Sequence, residues 1–169
     1  MGLLARLLGR KGDDNAHVRP LWHAVVARAR NPRLYAHCGV ADTVPGRFDA
    51  ITLVLSLVLL RMERDEALIA PSVRLTELFV DDMDGQLRQN GVGDIVVGKH
   101  IGKLMSVLGG RLGAYRDGLA VGGTAMTEAV ARNVTLVEGG DAALAAARAT
   151  ALAERLAGIS DADLLAARI

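Results

Sequence analysis

The sequence predicts an all-α fold: a single-domain, irregular helical bundle around a Leu-rich central helix. Three observations carry that expectation. Apolar residues make up 51% of the 169, yet aromatics only 3%. The core must therefore be mostly Leu, Val, Ala, Ile and Met, side chains that suit helix-on-helix packing better than a sandwich or barrel. An apolar stretch from Ala50 to Leu60 lies between Asp49 and Arg61, and the Ala-rich segment 142–157 is a strong helix former. A chain of this length fits one domain and can bury a sizeable core without staples.

The elements follow in order. In residues 2–11, Leu3, Leu4, Leu7 and Leu8 fall on one helical face, with Arg6, Arg10 and Lys11 elsewhere. Gly12, Asp13, Asp14 and Asn15 read as a linker. The expected organisation is thus a basic amphipathic helix over 1–12 and a helical domain over 13–169. Pro20 suits the first turn of a helix from Leu21 to about Arg30, which Asn31-Pro32 breaks. A short helix or loop through Leu34, Tyr35 and His37 leads to Cys38-Gly39. The stretch Val40 to Arg47, with Asp42, Thr43, Pro45 and Gly46, reads as a structured loop.

Phe48 to Met62 is the expected central helix. Pro71-Ser72 opens the next, Val73 to Gln89, with Leu75, Leu78, Phe79, Met83 and Leu87 inward and Asn90-Gly91 as its cap. Asp94 caps a helix from Ile95 to Gly109 or Tyr115. A helical tail over 124–169 is punctuated at Gly139-Gly140 and Gly158, after a break at Gly122-Gly123. Asp141 and Ser160 are expected N-caps, the second with Asp163 three residues on.

Composition excludes several classes. One cysteine, Cys38, permits no internal disulfide framework and is too few for the usual structural zinc site. It points to a reducing compartment. The N-terminus lacks a continuous apolar core before a small-residue cleavage site, so no signal peptide is expected. Ala50–Leu60 spans roughly 16 Å as a helix, about half of a hydrocarbon core. It reads as a buried helix, not a membrane span. Residues 1–37 carry seven Arg/Lys against two Asp, and 38–90 carry nine Asp/Glu against five Arg. A basic head on an acidic body suggests an anionic partner for the head: membrane, RNA-rich particle or acidic protein.

Catalytic motifs are weak. Gly93-Asp94-Ile95-Val96-Val97-Gly98-Lys99-His100 matches a phosphate loop up to its lysine, but His100 stands where Ser or Thr would hold magnesium, and a helix precedes it. A capped helix start is the better account. His37-Cys38 has no third orienting group. Asp81, Asp82 and Asp84 fan around a helix and do not converge. His37, Cys38 and His100 show no haem-ligation spacing, so no cofactor is expected. The N-terminal helix has two readings, one packed on the domain and one touching a membrane through Leu3, Leu4, Arg6, Leu7, Leu8, Arg10 and Lys11. Four leucines and three basic residues give reversible binding at most.

A longer pattern is more specific. Leu34-Tyr35-Ala36-His37-Cys38-Gly39-Val40-Ala41-Asp42-Thr43-Val44-Pro45-Gly46-Arg47-Phe48-Asp49 is followed by a Leu-rich helix closing with Leu60-Arg61-Met62. Then come Phe79-Val80-Asp81-Asp82-Met83-Asp84-Gly85-Gln86-Leu87-Arg88 and Gly91-Val92-Gly93-Asp94-Ile95-Val96-Val97-Gly98-Lys99. In order and spacing, the segment 34–112 resembles the ubiquinol–cytochrome c chaperone family. The resemblance implies an all-α, non-enzymatic assembly factor that binds newly made cytochrome b and assists its entry into respiratory complex III. The mitochondrial members act with a small partner protein and near the ribosome exit. With no targeting segment expected and a short basic start, this chain reads as a bacterial member, cytoplasmic and peripheral at the inner membrane. The membrane surface and the ribosome are further candidate contacts, and no DNA contact is expected. Two departures stand out: the central helix carries Leu53-Val54-Leu55-Ser56-Leu57 where the family is more aromatic and histidine-bearing, and the region after Gly118 shows no match.

Within the matching segments, Tyr35, Asp42, Arg47, Phe48, Asp82, Arg88, Asp94 and Lys99 are the candidate partner-binding residues. Each also has a structural reading. Arg47 is expected to pair with Asp82 or Asp94 and lock loop to helix, while Tyr35, Trp22 and Phe48 suit a core. A client made of apolar helices requires a helical groove or apolar patch rimmed by charge. The competing reading is a peripheral membrane or ribosome-associated adaptor with another client.

Overall fold

The computed structural model describes residues 15–89 and 94–169, with side chains for all of these except 87–89 and 94–99. The expected helix over 2–11, its membrane-facing residues and the Asn90-Gly91 cap lie outside the described residues.

Helix α1 (Arg19–Ala29) carries Pro20 in its first turn and buries Leu21, Trp22, Val25 and Ala29 at helical spacing. Helix α2 (Pro32–Ala36) follows after one turn, its first turn capped by Asn31, whose side chain accepts from Arg33 N at 3.0 Å. Helix α3 (Val44–Met62) is the centre of the molecule, and every residue from Asp49 to Leu59 is buried. The two hydroxyls in that run are satisfied within the helix: Thr52 donates to Phe48 O at 3.1 Å and Ser56 to Thr52 O at 2.7 Å.

The stretch expected as loop up to Arg47 is therefore shorter than expected, because α3 starts at Val44. Thr43 caps it, accepting from Gly46 N at 3.3 Å, and Pro45 sits where no N–H is needed. Gly46 has a steric reason: a Cβ there would lie 2.0 Å from Ala41 O. That approach lets the chain turn sharply into the helix.

A 3₁₀ turn, Glu66–Leu68, leads into α4 (Ile69–Gln89), which starts before the expected Val73 and takes Pro71 into its first turn. Leu75, Leu78, Phe79 and Met83 face inward as expected. Helix α5 (Asp94–Val121) outruns its expected end and passes through Gly109, Gly110 and Gly113. Glycine costs a helix about 1 kcal/mol against Ala, and the burial of Leu108 and Tyr115 on the face toward α3 supplies what propensity lacks. Gly122 and Gly123, both at positive φ, turn the chain into α6 (Thr124–Asn133).

An extended segment then pairs with the chain after α2. Val137 N donates to Gly39 O at 2.8 Å, Ala41 N to Thr135 O at 2.9 Å and Asp141 N to Cys38 O at 2.9 Å. Gly39 is held at φ 72°, with Gly140 so near that a Cβ would meet its Cα at 2.6 Å. The expected helical tail is thus interrupted over 134–141. Asp141 caps α7 (Ala142–Gly158) and Ser160 caps α8 (Asp161–Leu165). Helices α1, α4, α5 and α7 all pack on α3, and α6 packs between α5 and α7. Among the described residues no helix is long and apolar enough to cross a membrane.

Candidate interaction surface

Three places stand out, and the sequence-predicted residues fall in the first two of them or outside all three. At the entry to α3, Arg47 donates from Nε to Asp42 Oδ1 at 2.6 Å, both side chains exposed. Arg47 therefore takes Asp42 as its partner and not the expected Asp82, while the side chain of the alternative, Asp94, lies outside the described residues. Arg47 sits one turn into α3, within reach of the loop that caps its own helix, while Asp82 projects into solvent from α4. The Arg47 guanidinium holds the Asp42 carboxyl below its usual range. Tyr35 is half-buried and donates to Ala29 O at 2.9 Å, and burial and then the Asp42 charge push its hydroxyl up. Beside this corner Val44 is 80% exposed.

Phe48 belongs to a second, interior place. It contacts Phe79, which in turn meets Trp22 edge-on, with ring centroids 6.2 and 6.1 Å apart. The Arg111 guanidinium lies 5.3 Å over the Phe48 ring. From there Arg111 donates to Asp49 Oδ1 at 2.6 Å and to the Thr52 hydroxyl. The other Asp49 oxygen accepts from Thr135 N at 2.8 Å and Thr135 Oγ1 at 2.6 Å. One carboxylate thus joins α3, α5 and the extended segment. Tyr115, one turn beyond Arg111, is fully buried, and that burial drives its hydroxyl far up and keeps it neutral. Sequence reasoning missed Asp49 and Arg111. The available signal was a carboxylate at the edge of a helix apolar almost all round, which demands a partner.

The third place is a groove between α4 and α5, of about 450 Å³, floored by Val73, Thr76, Val80, Ile101 and Met105. Ile69, Val73, Thr76 and Val80 fall at i, i+4, i+7 and i+11, one face of α4. Ile69, Val73 and Met105 are 56%, 52% and 43% exposed, so α4 is apolar on two faces, one in the core and one in solvent. Ser72, Glu77 and Asp81 border the groove, and Arg74 bonds to Glu77 at 3.0 Å on its edge. None of the predicted partner-binding residues with a described side chain lines this groove. Its Asp is Asp81, not Asp82. The side chains of Arg88, Asp94 and Lys99 lie outside the described residues.

The remaining motifs are settled by backbone and burial. From Asp94 onward the phosphate-loop pattern is already helix, and the element described before it is helix α4, so the strand that aims a phosphate loop is not in place. Cys38 is fully buried while His37 is exposed, and burial pushes the thiol up despite nearby Arg148, the wrong direction for a nucleophile.

Comparison with known proteins places these surfaces in context. A family model described as ubiquinol–cytochrome C chaperone matches residues 36–169, so the match runs to the last helix, well past the region where the resemblance was legible. The chain is similar to a solved structure described as the Cbp3 homolog from Brucella abortus, with 33% identity and a TM-score of 0.80 over 99% of this chain and 95% of that one. No curated protein matches it.

Proposed function

The chain belongs to the ubiquinol–cytochrome c chaperone family, and on that premise we propose that it holds newly made cytochrome b for assembly into complex III. The single observation that supports this client is the groove between α4 and α5. Its Val73 and Met105 are open to solvent, with Val80 partly buried behind them, and the groove is bordered by Arg74, Glu77 and Asp81. A segment of a transmembrane helix offers Leu and Val side chains with no charge to satisfy, and a half-exposed apolar groove takes such a surface reversibly. Exposed Asp42, Val44 and Arg47, with half-buried Tyr35 beside them, form a second patch at the start of α3 that suits a contact with a polar loop of the same client. The reading is non-enzymatic: the groups that bind are apolar faces and ion pairs, and holding a client requires no reacting atom.

Residues 1–12, with four leucines and three basic side chains, are proposed to tether the protein reversibly to the cytoplasmic face of the inner membrane, near the ribosome that makes the client. The decisive experiment is a pull-down of tagged protein from native membranes of a strain making complex III, with cytochrome b quantified by mass spectrometry. Enrichment of cytochrome b is expected. Its absence sinks the client assignment and favours an adaptor with another partner. Deleting Met1–Lys11 should lower co-sedimentation with anionic liposomes, and unchanged partitioning removes the tether.

A further inference from the structure

A second concavity, away from the α4–α5 groove, lies where α1, α2, α3 and α7 meet. It has a volume of about 280 Å³ and four arginines in its wall: Arg28, Arg33, Arg148 and Arg155. No acidic side chain lines it. Among the described residues, Arg33, Arg148 and Arg155 form no ion pair, while Arg28 donates to the main-chain oxygen of Ile169. Burial and then the charge of Arg155 make the protonated Arg28 less favourable than usual. Arg148 also holds an enclosed Nε with no hydrogen-bond partner. Four like charges around one small space repel each other, and an unmatched buried N–H is costly. A bound anion relieves the repulsion.

The floor has the opposite character. Leu53, Val54 and Leu57 come from α3 and Leu152 from α7. Free phosphate has nothing to gain from that floor. Taking ~30 Å³ per water-sized unit, the volume holds a tetrahedral anion and the first few carbons of a chain. Guanidinium forks match phosphate and carboxylate oxygens in pairs.

We propose that this pocket binds an amphipathic phosphate, its head between Arg148, Arg155 and Arg33 and the start of its alkyl chain against Leu53, Leu57 and Leu152. The source is either a bilayer phospholipid or a soluble alkyl phosphate, which share this chemistry. The role is separate from client holding, since no residue of the groove takes part.

The test uses the full chain in calorimetric titration against dihexanoyl phosphatidic acid, hexyl phosphate, dihexanoyl phosphatidylcholine and inorganic phosphate. The first two are expected to bind, with phosphatidic acid stronger if lipid is the source and hexyl phosphate equal or stronger if it is not. Arg148→Gln with Arg155→Gln should weaken binding at least about tenfold, whereas Arg132→Gln, on the exposed side of α6, should leave it unchanged. The arginine Nε–H resonances of the unaltered protein give a second readout: Arg148 and Arg155 should shift on adding either ligand, whether or not the variants fold. Binding of inorganic phosphate as tight as that of hexyl phosphate, no shift at these arginines, or preferential binding of a hexaglutamate peptide overturns the proposal.

Discussion

Asp49 and Arg111 meet inside the molecule at 2.6 Å, their side chains 7% and 14% exposed, and bind α3 to α5 across 62 residues of sequence. The pair is completed by Thr135 on the second carboxylate oxygen and by the Phe48 ring beneath the guanidinium. A pair so enclosed contributes little relative to a well-packed apolar substitute, yet removing one partner strands a buried charge. Arg111→Met or Asp49→Leu alone should therefore lose about 3–5 kcal/mol in urea unfolding. The double variant Asp49→Leu with Arg111→Met should recover a large part of that loss. If the double variant is as unstable as the sum of the singles, the stranded-charge account is wrong.

Gly46 offers a sharper steric test. A methyl there meets the Ala41 carbonyl oxygen at 2.0 Å and its carbon at 2.9 Å, and both belong to backbone, which cannot swing aside like a flexible side chain. Gly46→Ala should lose about 2–3 kcal/mol, as overpacked sites do. The same change at Gly110, where nothing lies within 4 Å, should gain up to about 1 kcal/mol from helix propensity. Thermal denaturation of the two variants side by side decides it.

Arg61 closes the C-terminal end of the bundle. Its Nε donates to Leu156 O at 3.0 Å and its Nη to Ile159 O at 3.0 Å and Asp161 Oδ1 at 2.6 Å. Arg61→Met should cost about 2 kcal/mol through the lost charged donors. Amide exchange should quicken over 156–169 more than over α3.

Acid should weaken the same end. Arg61 holds the Asp161 carboxyl below its usual range, and Arg168 with Ser160 does so for Asp163. A carboxyl depressed on folding adds stability that is complete above its unfolded pKa, about 3.9. That stability is lost as pH falls through the lower folded value. Unfolding midpoints should thus hold steady from neutral pH to about 5 and decline below about 4. The decline should be shallower in Asp163→Asn, whose group no longer titrates.

The groove predicts a separation of binding from stability. Val73 and Met105 are half in solvent, so Val73→Asp and Met105→Asp should change stability by no more than about 0.5–1 kcal/mol. Captured cytochrome b should fall at least about tenfold, the change that 1.4 kcal/mol produces. Asp82→Asn, away from the groove floor, should leave capture within about twofold. Equal retention by all three variants would remove the groove from the proposed function.

By itself the chain determined that it is helical, where its helices break, and which family it resembles. Those properties are written locally: Pro20, Thr43, Asp141 and Ser160 act through the backbone within a turn of themselves, and the run 50–59 has nowhere to go but inward. The helix starts at Val44 and Ile69 are not legible in that local pattern, because a proline in the first turn has the same signature as a proline that ends a loop. Only the tertiary structure decided the partners of charge. Arg47 took Asp42 instead of Asp82, and Asp49 found Arg111 and Thr135 far along the chain. It also decided that one face of α4 lies in the core and another in solvent beside α5, and that four arginines spread over 28–155 share one pocket. Spacing along a helix states which residues share a face. Which of two apolar faces is covered, and which distant charges meet, depends on how the helices pack, a matter of three-dimensional distance that no local pattern encodes.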